Sequence, residues 1–333
     1  MNLKIGLLGG GSWGTTVASL TAQNAPTKMW ARSQKTVDDI NKNHRNEKYL
    51  PGADLTKTLQ ATTSIKEAIQ DADVIIMGVP AQSFRQVLED AKTHIRPWVP
   101  IVSLAKGLER GTKMRMTEII ETIKPGHPAG VLTGPNLSRE IIAGQAAASV
   151  IAMVDDTIAN ELQKVFRTGF FRVYTNDDVV GCELGGALKN IIAIAAGMGD
   201  GAGAGDNTRS AVITRGLAEL TRLGVAMGGR PETFAGLAGM GDLVATCISP
   251  LSRNRSVGFK LGQGQKLDDI INEMSMVAEG VKSCSVVMEL AREYNVEMPI
   301  SEEVYKVVHD GNSVRDAFRG LIRRPMGSEA EPG

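Results

Sequence analysis

Three groups of residues in this 333-residue chain could do chemistry that their surroundings do not explain away. The first is the glycine run in IGLLGGGSWGTT, residues 5–16. Gly9, Gly11 and Gly14 fit G-x-G-x-x-G, the spacing that cradles a dinucleotide pyrophosphate at a helix N-terminus, where unpaired amides and the helix dipole favour an anion. Gly10, Ser12 and Gly14 also fit G-x-S-x-G, the sharp turn that exposes a catalytic serine. The second is a pair of lysines: Lys106 in SLAKGLE and Lys189 in ELGGALKNIIAIAAG. The third is SPLSRNRS, residues 249–256. There Ser252, Arg253 and Asn254 bring a hydroxyl, a guanidinium fork and an amide to the start of a helical pattern, the groups that phosphate recognition uses.

Position in the chain separates the two readings of the glycine run. A serine elbow needs an upstream loop for part of its oxyanion hole, and Ser12 follows the first strand; the late histidine, His309, sits in a helical pattern. A dinucleotide loop needs a second strand ending about 20 residues on in a ribose-reading residue. The run Lys28–Ala31 supplies the strand and Arg32 the residue. An acid there would bond both ribose hydroxyls and select NAD; an arginine removes that carboxylate and can pair with a 2′-phosphate. The loop therefore reads as a cradle for NADP or NAD.

A nicotinamide cofactor needs a partner that gives or takes a proton as hydride moves. None of the four tyrosines stands in Y-x-x-x-K, which leaves lysine. Lys106 lies just past a strand, at the end where ligands sit. Lys189 is ringed in sequence by Leu184, Ala187, Leu188, Ile191, Ile192, Ile194 and Ala195. A helix apolar all round is buried, so its lysine is paired or lines a cavity instead of snorkelling to water. Burial in general disfavours an ammonium, which suits a group that must give up a proton. Asn190 beside it can hydrogen-bond substrate or cofactor. Asp242 in GMGDL either positions the Lys189 ammonium or binds a substrate hydroxyl, or it is a plain turn or cap residue before Leu243.

These groups need a scaffold, and the first half of the chain alternates to supply one. Lys4–Leu8, Lys28–Trp30, Asp73–Val79, Pro100–Leu104, Gly130–Leu132 and Ala148–Ala152 are apolar runs of strand length, with helical patterns at Thr15–Gln23, Ser83–Thr93 and Met114–Thr122. That alternation predicts a mostly parallel, doubly wound sheet that binds ligands beyond the carboxyl ends of its strands. After about Tyr174 the texture changes: Val180–Gly197, Arg209–Leu223, Arg253–Gly262, Val281–Tyr294 and Ile300–Val308 carry helical spacing, with few strand-like runs between them. The glycine-rich loops 198–207 and 235–243 interrupt these helices and suit close approach to a ligand. The expected division is a dinucleotide-binding domain at 1–178, a helical substrate and catalytic domain at 179–326, and a disordered polar tail at 327–333.

Composition narrows the function classes. Lys+Arg and Asp+Glu are both 37, so no net field draws the chain onto nucleic acid or an anionic membrane. Three cysteines without a C-x-x-C pair read as reduced and intracellular, and four scattered histidines without H-E-x-x-H argue against a protein-built metal site. No apolar run reaches the length of a membrane span, and the first strand begins too early for a signal peptide. The expected location is the cytoplasm.

The blocks GGGSWGT (9–15), SLAKGLE (103–109), GPNLSREI (134–141), FRVYTNDDVVGCELGGALKNIIAIAAGMGDG (171–201), GLAGMGDLVATC (236–247), LSRNRSVG (251–258), VAEGVKS (277–283) and VEMPISEEVY (296–305) resemble NAD(P)-dependent glycerol-3-phosphate dehydrogenase of the bacterial type. The resemblance runs through nearly the whole chain. It implies a Rossmann-type α/β N-terminal domain with an all-α C-terminal domain, reducing dihydroxyacetone phosphate to sn-glycerol 3-phosphate for phospholipid synthesis. It also implies roles. Ser12, Trp13, Arg32, Ser138, Val277 and Glu279 contact cofactor; Lys106 and Arg253 contact cofactor and substrate; Gly134, Asn136, Asp242, Ser252 and Asn254 contact substrate; Lys189 transfers the proton. Two positions depart from the common pattern, Asn136 for Thr or Ser and Ser138 for Ala. A homodimer is expected from the apolar helices of the second domain. The rival readings are a two-domain β-hydroxyacid dehydrogenase and a non-catalytic NAD(P)H sensor.

Overall fold

The computed structural model describes residues 3–274, 278–324 and 328. The tail expected to be disordered lies outside them except for Ser328, and so does Val277. The chain divides into two compact units, one holding the residues up to Glu109 and Met114–Val179, the other Arg110–Lys113 and the chain from Val180 onward.

The first unit is built on eight strands: β1 (Ile5–Leu8), β2 (Thr27–Trp30), β3 (Gln60–Thr62), β4 (Val74–Met77), β5 (Ile101–Ser103), β6 (Ala129–Thr133), β7 (Ala147–Met153) and β8 (Phe171–Asn176). They form one sheet in the order β3-β2-β1-β4-β5-β6-β7-β8. Every pairing is parallel except β6 with β7. β1 and β4 are buried along their whole length, as strands covered by helices on both faces must be. One apolar cluster gathers Leu7, Val17, Ile76, Leu132 and Phe166; the other gathers Leu8, Ile75, Met77, Phe84 and Ile120. Leu7 and Leu8 of one strand thus serve opposite faces, the period-2 consequence of a doubly covered sheet. The six expected strands are present. β3 and β8 were not anticipated, because both are edge strands: β3 is three residues long, and β8 alternates buried Phe171 and Val173 with exposed Arg172 and Tyr174.

The described part of the second unit contains helices and no strand. Its longest helix, Val179–Gly201, runs 23 residues. It is long and apolar enough to cross a membrane by composition, which corrects the expectation that no such run exists, but 94% of its most apolar stretch is buried inside the protein. It is the core helix of the unit. The unit's other described α-helices are Asp206–Ala226, Pro231–Ala235, Asp242–Ile248, Arg253–Gly262, Leu267–Glu273, Glu279–Glu293, Pro299–His309 and Val314–Ile322. The small segment Arg110–Lys113 packs here too: Lys113 pairs with Glu293 at 2.6 Å, and Arg110 Nε donates to the Lys282 carbonyl at 3.4 Å.

Glu219, 2% exposed, caps the helix Pro299–His309, accepting from the amides of Ile300 (2.5 Å) and Ser301 (3.1 Å) and from Ser301 Oγ (2.8 Å). The three cysteines, Cys182, Cys247 and Cys284, are buried and form no disulfide, and burial pushes the thiols of Cys247 and Cys284 up to about 12.

Candidate active site

In the first unit the predicted cradle follows β1. Gly9 has φ +134°, and a Cβ on it would stand 2.3 Å from the Gly78 carbonyl oxygen. A Cβ on Gly14 would stand 2.3 Å from the carbonyl oxygen of Gly9. At Gly11 the same construction meets nothing within 4 Å. The three glycines thus divide the work: a left-handed turn, an open approach, and close packing of helix on strand. The helix Ser12–Asn24 starts directly after Gly11, whose side carries no cap. No side chain caps its first turn, which suits a pyrophosphate at that end. The Ser12 hydroxyl donates to the Tyr49 carbonyl at 2.9 Å, not to a histidine, so the geometry is that of a cradle and not of a nucleophile elbow. Asn46 braces the loop, donating to the Gly10 carbonyl (3.1 Å) and Thr15 Oγ1 (2.8 Å); nothing in the sequence marked it. Trp13 Nε1 is buried without a partner, a donor that a cofactor can satisfy. Arg32 is exposed at the end of β2, in the turn before the helix Gln34–Asn43.

The fit of a dinucleotide to this loop gives a direct test. Gly14→Ala forces a methyl against backbone, a clash worth about 1–3 kcal/mol. NADPH binding, read by nicotinamide fluorescence, is expected to weaken about tenfold or more. Unchanged affinity in the folded variant would remove the loop from the cofactor site.

At the ends of β5 and β6, Lys106 Nζ donates to the Gly134 carbonyl at 2.7 Å, and Gly134 has φ +128°. Hydrogen-bond bookkeeping orients Asn136. The Ser149 hydroxyl spends its proton on the Thr133 carbonyl at 2.6 Å, so it can only accept from Asn136 Nδ2, at 3.2 Å. Asn136 Oδ1 is left buried without a partner, an acceptor ready for a ligand hydroxyl or amide. Ser138 opens the short helix Ser138–Ile142 and is half-buried.

In the second unit, Lys189 is 5% exposed and its neighbours Leu188, Ile191 and Ile192 are fully buried. Nζ donates to Asp242 Oδ1 at 2.7 Å and to Thr246 Oγ1. Thr246 passes its own proton to the Asp242 carbonyl at 2.6 Å, so its lone pair is what faces the ammonium. Asp242, 2% exposed, opens the helix Asp242–Ile248 directly after a π-helical turn, Leu237–Gly241, which is the kind of irregular turn that re-aims side chains at functional sites. Of the readings open for Asp242, the geometry gives the ion pair with Lys189. Thr246 was missed; its signal was the i,i+4 spacing that places it on the Asp242 face of one helix.

Ser252 caps the helix Arg253–Gly262, its Oγ accepting from the Arg255 amide at 3.2 Å. That leaves the hydroxyl proton for an anion. Arg253 is exposed at the first helical position. Asn254 is 8% exposed, donating to Asn190 Oδ1 at 2.9 Å and accepting from the Gly280 amide at 3.0 Å. Glu279 is half-buried in the first turn of its helix, and Val277 lies outside the described residues. Among the described residues no group of three or more His, Cys, Asp or Glu could hold a metal.

The chain is similar to known proteins along nearly its whole length. Residues 4–159 match the model of the NAD-dependent glycerol-3-phosphate dehydrogenase N-terminus and residues 178–319 that of its C-terminus. A glycerol-3-phosphate dehydrogenase [NAD(P)+] of Sphingopyxis alaskensis is 62% identical over all 333 residues and the whole of that protein. One of Mycobacterium avium is 57% identical over 98% of this chain and 96% of its own length. The crystal structure of glycerol-3-phosphate dehydrogenase from Coxiella burnetii superposes with a TM-score of 0.92 at 34% identity, covering 97% of this chain and 99% of that one.

Proposed function

The chain belongs to the NAD-dependent glycerol-3-phosphate dehydrogenase family, and from that premise we propose how its residues reduce dihydroxyacetone phosphate to sn-glycerol 3-phosphate. The cofactor, NADP or NAD, supplies the hydride when bound. Gly9, Gly11, Ser12, Trp13 and Gly14 hold its pyrophosphate side, and Arg32 faces its ribose.

Lys189 carries the chemistry on the protein's side. Its ammonium donates a hydrogen bond to the C2 carbonyl oxygen and polarises it. As C2 receives the hydride, the oxygen becomes an alkoxide and takes the Nζ proton; C–O π electrons end on oxygen, and the product is the secondary alcohol. In reverse, the neutral amine takes the hydroxyl proton. Asp242 and Thr246 fix Nζ by accepting two of its hydrogens, which leaves the third for substrate. The Ser252 hydroxyl, the Arg253 guanidinium and the second amide hydrogen of Asn254 hold the substrate phosphate at a helix N-terminus. Asn136 Oδ1 accepts from a substrate hydroxyl, and Lys106 stands between the cofactor and substrate roles.

The observation that carries this reading is the lysine sunk in an apolar helix with its ammonium pinned between a carboxylate and a hydroxyl oxygen. A sensor that does no chemistry has no use for it. The β-hydroxyacid alternative is not favoured by relatives that match over both halves of the chain. We propose further that the enzyme is a cytoplasmic homodimer that supplies phospholipid synthesis and binds no nucleic acid.

The test follows nicotinamide absorbance with dihydroxyacetone phosphate, NADPH and NADH run side by side, in the wild type and Arg32→Ala. Turnover is expected with both cofactors. Loss of Arg32 is expected to lower the NADPH to NADH ratio of kcat/KM about tenfold, the scale of one charge-assisted contact. Absence of turnover with either cofactor, while both bind, overturns the substrate assignment; an unchanged ratio removes Arg32 from the ribose.

A further inference from the structure

Helices Val179–Gly201 and Arg253–Gly262 touch through their backbones. A Cβ on Gly197 would stand 2.1 Å from the Arg255 carbonyl oxygen, on Gly201 2.0 Å from that of Phe259, on Gly258 2.0 Å from that of Ile194, and on Gly262 2.4 Å from that of Met198. Such a contact brings the phosphate-binding turn close to the lysine-bearing helix. It is also smooth, because glycine offers no side chain to interdigitate and van der Waals contact has no direction along the axis. Something directional must set how far one helix slides along the other.

Two adjacent residues of the second helix do that by reaching opposite ways along the first. Asn254 joins Asn190, and Arg255 joins Asp200. Those anchors are ten residues apart, about 15 Å along the axis. The Asp200 carboxylate, 5% exposed, is shared. Oδ2 takes Arg255 Nε at 3.0 Å and Nη2 at 2.6 Å, while Oδ1 takes Arg209 Nε at 2.8 Å and Nη2 at 2.7 Å. Arg209 in turn pairs with Asp206 at 2.7 Å. One buried carboxylate therefore ties three helices. Arg255 is also the residue whose amide is capped by Ser252, so the side chain that grips Asp200 and the turn that presents Ser252, Arg253 and Asn254 are one rigid piece.

We propose that Asp200 and Arg255 are positioning residues that fix the register of the phosphate-binding turn against Lys189, and so set substrate affinity without touching substrate. Arg209 holds the other oxygen and orients the carboxylate. This rests on the assignment of Ser252–Asn254 to the substrate phosphate. The clamp lies wholly in the helical unit, whereas the glycine cradle is in the other.

Arg255→Ala, Arg255→Lys and Asp200→Asn separate this role from general stabilisation. In each, KM for dihydroxyacetone phosphate, kcat, the NADPH dissociation constant and Tm are measured. The expected result is a substrate KM raised about tenfold or more in Arg255→Ala and Asp200→Asn, a change in kcat under about threefold, and NADPH affinity within about twofold of wild type. Arg255→Lys keeps the charge but loses the fork, and falls between. An unchanged substrate KM in folded variants, whatever Tm does, overturns the proposal, as does a parallel loss of kcat and NADPH affinity. If Arg255→Ala does not fold, Arg255→Lys and Asp200→Asn are judged on the same KM criterion. Wild-type turnover in the same assay keeps failure of the clamp distinct from failure of the substrate assignment.

Discussion

Lys189→Ala lowers kcat by about 10²–10⁴-fold or more while NADPH still binds. On the mechanism proposed above, the lysine polarises the carbonyl and supplies the proton. Loss of its ammonium also takes the paired cation from Asp242, which is 2% exposed. Breaking one side of a buried pair costs about 3–5 kcal/mol of stability. A fall in activity could then be blamed on unfolding, and the double variant Lys189→Met, Asp242→Asn answers that. With both charges gone the stability loss is expected to shrink, because an apolar side chain and a neutral amide replace the pair, yet kcat stays at the level of the single variant. Thermal melts and steady-state kinetics on the three proteins decide it. Near-normal turnover in Lys189→Ala with cofactor bound would end the assignment.

Glu219 gives the second large effect, on stability instead of rate. Burial raises its carboxyl from an ordinary value near 4.5 to about 7, against hydrogen bonds from Ile300 and Ser301 and the nearby Arg222, which all pull it down. The folded state therefore binds this proton more tightly than the unfolded chain. The stabilisation is complete below about pH 4.5 and is lost as pH rises to about 7, at up to about 1.4 kcal/mol per pH unit and about 3 kcal/mol in total. Glu219→Gln removes that titration. The difference in unfolding free energy between wild type and Glu219→Gln, from urea titrations at pH 5, 6, 7 and 8, should shift against the wild type up to pH 7 and then level. A difference independent of pH would show that Glu219 does not titrate between pH 5 and 8 in the folded protein.

The two residues differ in how far the sequence displays them. Lys189 was legible because every neighbour at helical spacing is apolar, so burial follows from periodicity alone. Glu219 was not: it stands in an ordinary amphipathic helix, and its donors Ile300 and Ser301 come from a segment some 80 residues on, which no local pattern joins to it. Thr246 falls between, visible only once Asp242 is known to face Lys189, since a threonine on a helix otherwise reads as a back-bonded hydroxyl. The glycine cradle was ambiguous between nucleotide and nucleophile until the second strand and Arg32 were weighed. Buried strands with continuous apolar runs announced themselves; the edge strands β3 and β8 did not, because one exposed face dilutes the signal. Asp200 and Arg255 look like surface charges in sequence, and only the glycine contacts between their helices place them inside.

The sealed thiols have a consequence for how this protein ages. Oxidation and alkylation of cysteine both start from an exposed thiolate, and Cys247 and Cys284 are denied both conditions. Cys247 lies one residue past Thr246, on the helix that pins the lysine, so sulfenic acid at that position would put a polar oxygen beside the proton donor. Desolvation of the sulfur keeps the residue inert there. Peroxide therefore reaches these two thiols only once the helical unit opens.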